Sequence, residues 1–266
     1  MSMFRERYPE AWSFHYNTCR RPYNILSPPK DPAPVASFKE YVRTEPICLP
    51  EPVTLSSTLQ HCITSRVSCR RFSDQPMSLS QLATVANGAY GIRRRSYYDT
   101  YELLERPVPS AGGLYPLELY FILRNVEKID PGVYHYAPLV HGLEGIQKFE
   151  LPRQFLSEIF LWQPYVGDAS VVLLCTAVLE RSLWKYEDRG YRYVLFEAGH
   201  VAQNVDLAAE SLGLGSLNLG GFFDDRVAAL LDIDTDEEVP LYGTALGFPA
   251  HEDRCVIRRP EAIGHY

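Results

Sequence analysis

The stretch that most restricts the fold is ASVVLLCTAVL, residues 169–179. An unbroken apolar run of this length reads as a strand covered on both faces, because neither face can send polar side chains to water. It is too short to cross a bilayer as a helix. It therefore calls for a sheet with a layer on each side, and a chain of 266 residues is long enough to supply both.

The neighbouring patterns supply the layers. In SLSQLATVANGAYG, Ser78 with Gln81 three residues later is a capping box. Leu79, Leu82, Val85 and Ala86 follow at helical spacing, with Gly88 or Gly91 as the stop. YRYVLFEAGHVAQNVDLAAESLGLG predicts the clearest helix, with a stripe of Val194, Ala198, Val201, Val205, Ala208 and Leu212, and Gly213 just past its end. PLELYFIL alternates, so Leu117, Leu119, Phe121 and Leu123 form one buried face and Glu118, Tyr120, Ile122 and Arg124 the other face. GVYHYAP and PLVHGLEGI predict a hairpin with Pro138 near the turn. SLNLGGFF reads as extended, DDRVAALL as a short helix and VPLYGTALGFP as a last strand. This order predicts an α+β fold, with a central, mainly antiparallel sheet surrounded by helices.

Two stretches fit this plan less well. Residues 1–55 are rich in proline and aromatics and read as an arm wrapped on another surface, because Tyr16, Tyr23, Ile25 and Leu26 would be costly to leave in water; a partly disordered leader is the alternative. Residues 56–266 form the domain proper. RRRSYYDTYELLER, residues 93–106, reads as an irregular polar loop.

A net charge of −7 excludes a general nucleic-acid binder and leaves room for a small anion at a local basic cluster. The six cysteines are scattered, form no C-x-x-C pair and have no histidine spacing suited to zinc, so they read as thiols of a cytoplasmic protein. The opening MSMFRERYPEAW has no apolar core and does not read as a signal peptide.

Five short constellations could carry chemistry. In SRVSCRRFS, Arg66, Ser68 and Arg70 point the same way in extended chain and suit a phosphate or a heterocycle edge; a solvated basic edge has the same pattern. In PSAGG, Ser110, Ala111 and Gly112 form a small turn open to close approach, or simply a turn. Gly220 and Gly221 could offer free amides to a ring atom gaining charge, or form a bulge. Lys185 and Tyr186 could act together, an ammonium lowering a phenol's pKa to make a base. Neighbours on a helix diverge by about 100°, so this needs an irregular backbone, for which Gly190 is a candidate; otherwise they are a surface lysine and a core tyrosine. Arg258 and Arg259 could add charge at a phosphate, or belong to a charged tail.

Taken together these segments resemble one family. RVSCRRF is similar to the opening motif of the FMN-dependent nitroreductase superfamily. PSAGGLYPLELYFI, PGVYHYAP, FEAGHVAQNVDLAAESLGLGSLNLGGF and the closing LGFP resemble, in that order, its SagB/ThcOx branch, over about residues 60–260. That branch contains oxidases that turn thiazolines and oxazolines of peptide natural products into azoles. The resemblance implies FMN as cofactor, held at the interface of a homodimer. Arg66, Ser68 and Arg70 would contact the flavin, and Ser110, Ala111 and Gly112 would lie against its ring from the partner subunit. Gly220 and Gly221 would lie near the reactive nitrogen, and Arg258 or Arg259 near the phosphate. Lys185 and Tyr186 match the pair assigned to azoline oxidation, where a base must take a proton while the flavin takes the hydride. The substrate would be a peptide or carrier-bound heterocycle made elsewhere, with a synthetase as a further partner. An NAD(P)H-fed nitro- or quinone reductase and a non-catalytic flavin-bound scaffold are the alternative readings.

Overall fold

The structure is a computed structural model that describes residues 3–21, 36–41, 45–98 and 101–250. The chain begins with two helices, α1 (Met3–Arg7) and α2 (Pro9–Asn17), then an edge strand β1 (Ile47–Cys48) and helices α3 (Leu59–Ser65) and α4 (Leu79–Tyr90). A hairpin of β2 (Arg94–Tyr98) and β3 (Tyr101–Glu105) precedes the meander β4 (Leu117–Leu123), β5 (Gly132–Ala137) and β6 (Gly142–Lys148). Helices α5 (Arg153–Ile159) and α6 (Pro164–Asp168) lead to β7 (Val171–Val178), then α7 (Glu180–Tyr186) and α8 (Arg189–Ser211). β8 (Gly215–Leu219), α9 (Asp224–Leu231) and β9 (Glu238–Gly247) complete the described chain.

Seven strands make one sheet in the order β1-β6-β5-β4-β7-β9-β8, each pair antiparallel. β7, the apolar run, lies between β4 and β9 and is buried up to its last residue. Leu117, Leu119, Phe121 and Leu123 of β4 pack with α4 and α8 on one face. Tyr120 and Ile122 pack on the other face with Phe160, Val227 and Leu231, beneath α5, α6 and α9. The α4 capping box is formed: Gln81 N–H donates to Ser78 Oγ at 3.2 Å, and Ser78 N–H donates to Gln81 Oε1 at 2.9 Å. Gly91 caps α4, and Gly213, at φ 72°, follows the end of α8.

Three expectations need correction. The second face of β4 is buried rather than solvated, because Glu118 has partners there: Arg181 Nη1 donates to its Oε1 at 2.6 Å, and its Oε2 lies 3.0 Å from His135 Nε2. Segment 93–106 is not an irregular loop but the β2–β3 hairpin, in which Arg94 faces Glu105 and donates to it through Nε at 3.0 Å. Opposite charges across the strands hold it, and apolar alternation does not register them. The arm is partly helical, and Tyr16 on it is 47% exposed. Tyr23, Ile25 and Leu26 lie outside the described residues. The arm is tied down by polar contacts instead, such as Arg189 Nη1 donating to Thr18 O at 2.9 Å.

A strap, residues 36–41, crosses the second face of the sheet. Arg181 Nε donates to Ala36 O at 2.7 Å, and Lys39 Nζ donates to Tyr120 Oη at 2.9 Å and to Glu238 Oε2 at 2.6 Å. Beneath it, His135 is completely buried between Glu144, 2.7 Å from Nδ1, and Glu118.

Candidate functional site

The turn before β4 brings the first candidate residues together. Ala111–Gly113 forms a single 3-10 turn, with Gly112 at φ 67° and Gly113 at φ 66°. L-residues avoid this left-handed region, which accounts for both glycines. Tyr115 N–H donates to Ser110 Oγ at 2.9 Å, which closes the turn. A Cβ on Gly112 would lie 2.6 Å from the Tyr186 hydroxyl and 2.9 Å from Lys185 Nζ. Both side chains therefore converge on one exposed glycine backbone.

The convergence is possible because the helix stops there. Tyr186 is the last residue of α7, and Glu187 turns the chain with φ 51°. The break falls at Glu187 rather than at Gly190. Gly190 instead lets α8 approach α7, since a Cβ on it would lie 3.1 Å from Ser182 O. Arg20 from the arm braces the same end, with Nη2 donating to Tyr186 O at 2.7 Å. Burial, and then the nearby Tyr193 phenol, push the Tyr186 hydroxyl above its usual pKa. The expected lowering by Lys185 does not prevail, since desolvation is the largest effect on the phenol.

Behind the turn lies a carboxyl that the sequence reading passed over. Glu197 of α8 is 2% exposed, and Tyr90 Oη donates to its Oε1 at 2.6 Å. Tyr90 Oη also accepts from Leu117 N–H at 3.2 Å, and Ser110 hydrogen-bonds Glu197 from the other end of the turn. Glu197 so joins both ends of the turn. Desolvation pushes its carboxyl up to about 7, with Ser110, Tyr90 and Arg106 opposing the shift. The signal was present in the sequence: Glu197 stands three residues after Val194 and one before Ala198, on the apolar stripe of α8, where a carboxylate has no reason to be unless it has partners. Arg106, also buried, lies over the Tyr90 ring at 4.0 Å.

The arginine segment is extended as expected. Ser68 bridges to Ser216 of β8, Cys69 turns inward, and Ser68 and Arg70 face solvent with Arg66 half-buried. Neither guanidinium has an ion-pair partner among the described residues. Gly220 is exposed just after β8, and a Cβ on Gly221 would lie 2.9 Å from Leu161 Cδ1. Arg258 and Arg259 lie outside the described residues.

One copy of the chain keeps the two groups apart. Ser216 lies opposite Leu246 of β9, whereas Leu117 lies opposite Ala177, which lies opposite Val239. Seven residues along β9 correspond to about 23 Å. Helix α8 gives the same picture: Glu197 backs the turn, while His61 of α3 approaches Glu210 near the far end, about 20 Å along the helix.

The profile of the nitroreductase family matches residues 63–248, and the chain belongs to that family, a class of oxidoreductases whose members generally bind FMN. A Methanocaldococcus jannaschii protein, itself named as a nitroreductase, is 38% identical over 183 residues, 69% of this chain and 87% of that protein. The microcin B17-processing protein McbC of Escherichia coli is 32% identical over 157 residues, 58% of this chain but only 57% of McbC. A solved structure named as a nitroreductase, from Anabaena variabilis, has a TM-score of 0.69 at 27% identity, over 90% of this chain and 47% of that one.

Proposed function

We propose that the protein is an FMN-dependent oxidase that converts a thiazoline or oxazoline in a peptide-derived intermediate to the aromatic azole. The observation that carries this reading is the meeting of Lys185 Nζ and Tyr186 Oη at Gly112. McbC, named for processing of a peptide microcin, supports the peptide side of it. FMN, when bound, supplies a hydride acceptor for a two-electron oxidation.

The residues fit such a group. Arg66, Ser68 and Arg70 offer a donor set with no competing carboxylate among the described residues, suited to phosphate and to the edge of a planar ring. Gly220 and Gly221 stand on the same edge of the sheet, and Arg258 and Arg259 would add charge at the phosphate. Ser110, Ala111 and Gly112 would meet the ring from a second copy, because the two groups lie about 20 Å apart in one chain. A homodimer follows, and the apolar residues left exposed on the outer sides of α3 and α8, Leu59, Ile63, Leu195 and Phe196, fit such a contact. The chain's own contribution to the chemistry is proton handling. Lys185 and Tyr186 together would take the proton from one ring carbon as the neighbouring ring carbon gives up its hydride, the new double bond forming between the two. Because burial raises the Tyr186 pKa, the pair serves as the base only after it has itself given up a proton. Glu197 keeps the turn in place. A synthetase that builds and presents the heterocycle would be a further partner.

Replacing Lys185 with Ala and Tyr186 with Phe together should leave flavin content and the visible spectrum intact and reduce azole formation on the order of a hundredfold or more. Undiminished azole formation by the flavin-loaded double variant removes the assigned base. Because the 38% identical archaeal relative is named as a nitroreductase, reduction by a nicotinamide is the second reading. Anaerobic bleaching of the flavin by NADPH, without azole formation, would favour it.

A further inference from the structure

A cavity of about 210 Å³ opens on the side of the turn facing the strap. Gly113, Leu114 and Tyr115 form one wall, and Ser37 and Phe38 of the strap another. Two buried guanidiniums, Arg106 and Arg181, complete it. We propose that this cavity is a carboxylate subsite, in which Arg106 holds a single negative charge on the substrate.

The charges on the cavity wall single out Arg106. Arg181 is committed, donating to Glu118 and to Ala36 O. Glu102 also lines the cavity, and its carboxylate is taken by Arg95 at 3.2 Å and by the Tyr97 hydroxyl at 3.0 Å. Arg106 differs. Nη1 donates to Tyr90 O at 2.9 Å, and among the described residues Nε is buried without a partner and no carboxylate lies within ion-pair distance. Glu197 acts on it only at longer range, through a carboxyl that burial keeps protonated up to about 7. An uncompensated buried cation is costly and persists where something else supports it. Here the rings of Tyr90, Phe38 and Tyr115, at 4.0, 5.2 and 5.4 Å, hold the guanidinium still without neutralising it. One unit of free charge matches a carboxylate better than a dianionic phosphate. Leu103, Leu104 and Leu114 offer an apolar wall for whatever carries it. The same turn meets Lys185 and Tyr186 at Gly112, one residue before it lines the cavity, so a carboxylate held here keeps its bearer next to that pair. The proposal takes the identity of the reacting ring from the function proposed above, but not the presence of the anion site. Two bearers share this chemistry: a free heterocyclic acid and the C-terminus of a short peptide.

The test is calorimetric titration of the full-length protein with thiazole-4-carboxylate and with its neutral carboxamide, and with one tripeptide as free acid and as C-terminal amide. At least one acid should bind more tightly than its neutral form by on the order of tenfold to a hundredfold. Arg106→Gln should erase that ratio, and Arg106→Lys should keep part of it. Should Arg106→Gln fold poorly, Leu114→Trp fills the cavity while leaving Arg106 in the sequence and should remove acid binding. Which acid is preferred identifies the bearer. Equal binding of both acids and their neutral forms, no binding of any probe, or wild-type preference in Arg106→Gln overturns the subsite. Azole formation without a carboxylate preference sinks the subsite and leaves the oxidase; a carboxylate preference without azole formation does the reverse.

Discussion

Two polar clusters are buried in this protein, and they are built on opposite terms. Beneath the strap, Glu118, Glu144 and Glu238 are matched by His135, Arg181 and Lys39. Burial pushes Glu118 up, but His135 and Arg181 outweigh it and leave the carboxyl below its usual range. Burial likewise pulls His135 down, and its two carboxylate partners more than restore it, to above the ordinary value. Behind the glycine turn the balance fails. Glu197 has neutral hydrogen-bond donors and the Arg106 charge only at longer range, and desolvation wins. Arg106 has rings and a carbonyl instead of a carboxylate. Burial alone therefore does not distinguish a structural network from a poised one; the pairing of charges does. The paired cluster fastens the strap to the sheet. The unpaired one lies where a cofactor and a substrate are expected.

The contrast can be broken by experiment. The largest effect should come from the paired cluster. His135→Leu leaves Glu144 buried without its partner, and chemical denaturation near pH 6 should show a loss of about 3–5 kcal/mol. Since the folded-state pKa of His135 is raised, its contribution is complete below its ordinary 6.5 and is lost as pH climbs through the raised value. The gap between wild type and variant should therefore narrow in alkali.

Glu197→Gln should act in the opposite direction. The folded protein holds a proton on Glu197 between the ordinary 4.5 and about 7, so its stability falls as pH rises through that window. The variant keeps an acceptor for Tyr90 without that dependence. Denaturation should find it more stable than wild type by about 3 kcal/mol at pH 8, and equal to it below pH 4.5. A parallel pH profile in both proteins would place Glu197 among the paired groups after all.

Gly112→Ala should cost about 1–2 kcal/mol in thermal unfolding, for a side chain at φ 67°. Its new methyl would also push Tyr186 and Lys185 aside, so turnover of the flavin-loaded variant should fall further than its melting temperature suggests. The smallest effect belongs to charges in water. Lys148 stands 3.9 Å from Asp130 with both exposed, and Lys148→Ala should shift the denaturation midpoint by less than about 0.5 kcal/mol.

Much of the fold was legible because its signals are local. The run at 169–179 required a doubly covered strand, and β7 is that strand. Ser78 and Gln81 marked the start of α4, and the stripe from Val194 marked α8. The β2–β3 hairpin was not legible, because Arg94 and Glu105 pair across eleven positions and leave no apolar rhythm. Nor was the buried second face of β4, since Glu118 looks solvated until His135 and Arg181 arrive from other elements. At the candidate site, the names Lys185, Tyr186 and Gly112 could be read in order along the chain. Their meeting could not, because it depends on a left-handed break at Glu187 that no residue type there announces.

By itself, then, the sequence determined which segments become strands and helices and which faces they bury. Hydrophobic period and capping act between residues a few positions apart, and those distances are written in the chain. Only the tertiary structure decided which charges would lack a partner. Whether Arg106 or Glu197 is neutralised depends on carboxylates and guanidiniums brought from distant elements into a medium without water, where a pairing made or missed at a few ångströms changes what a group can do.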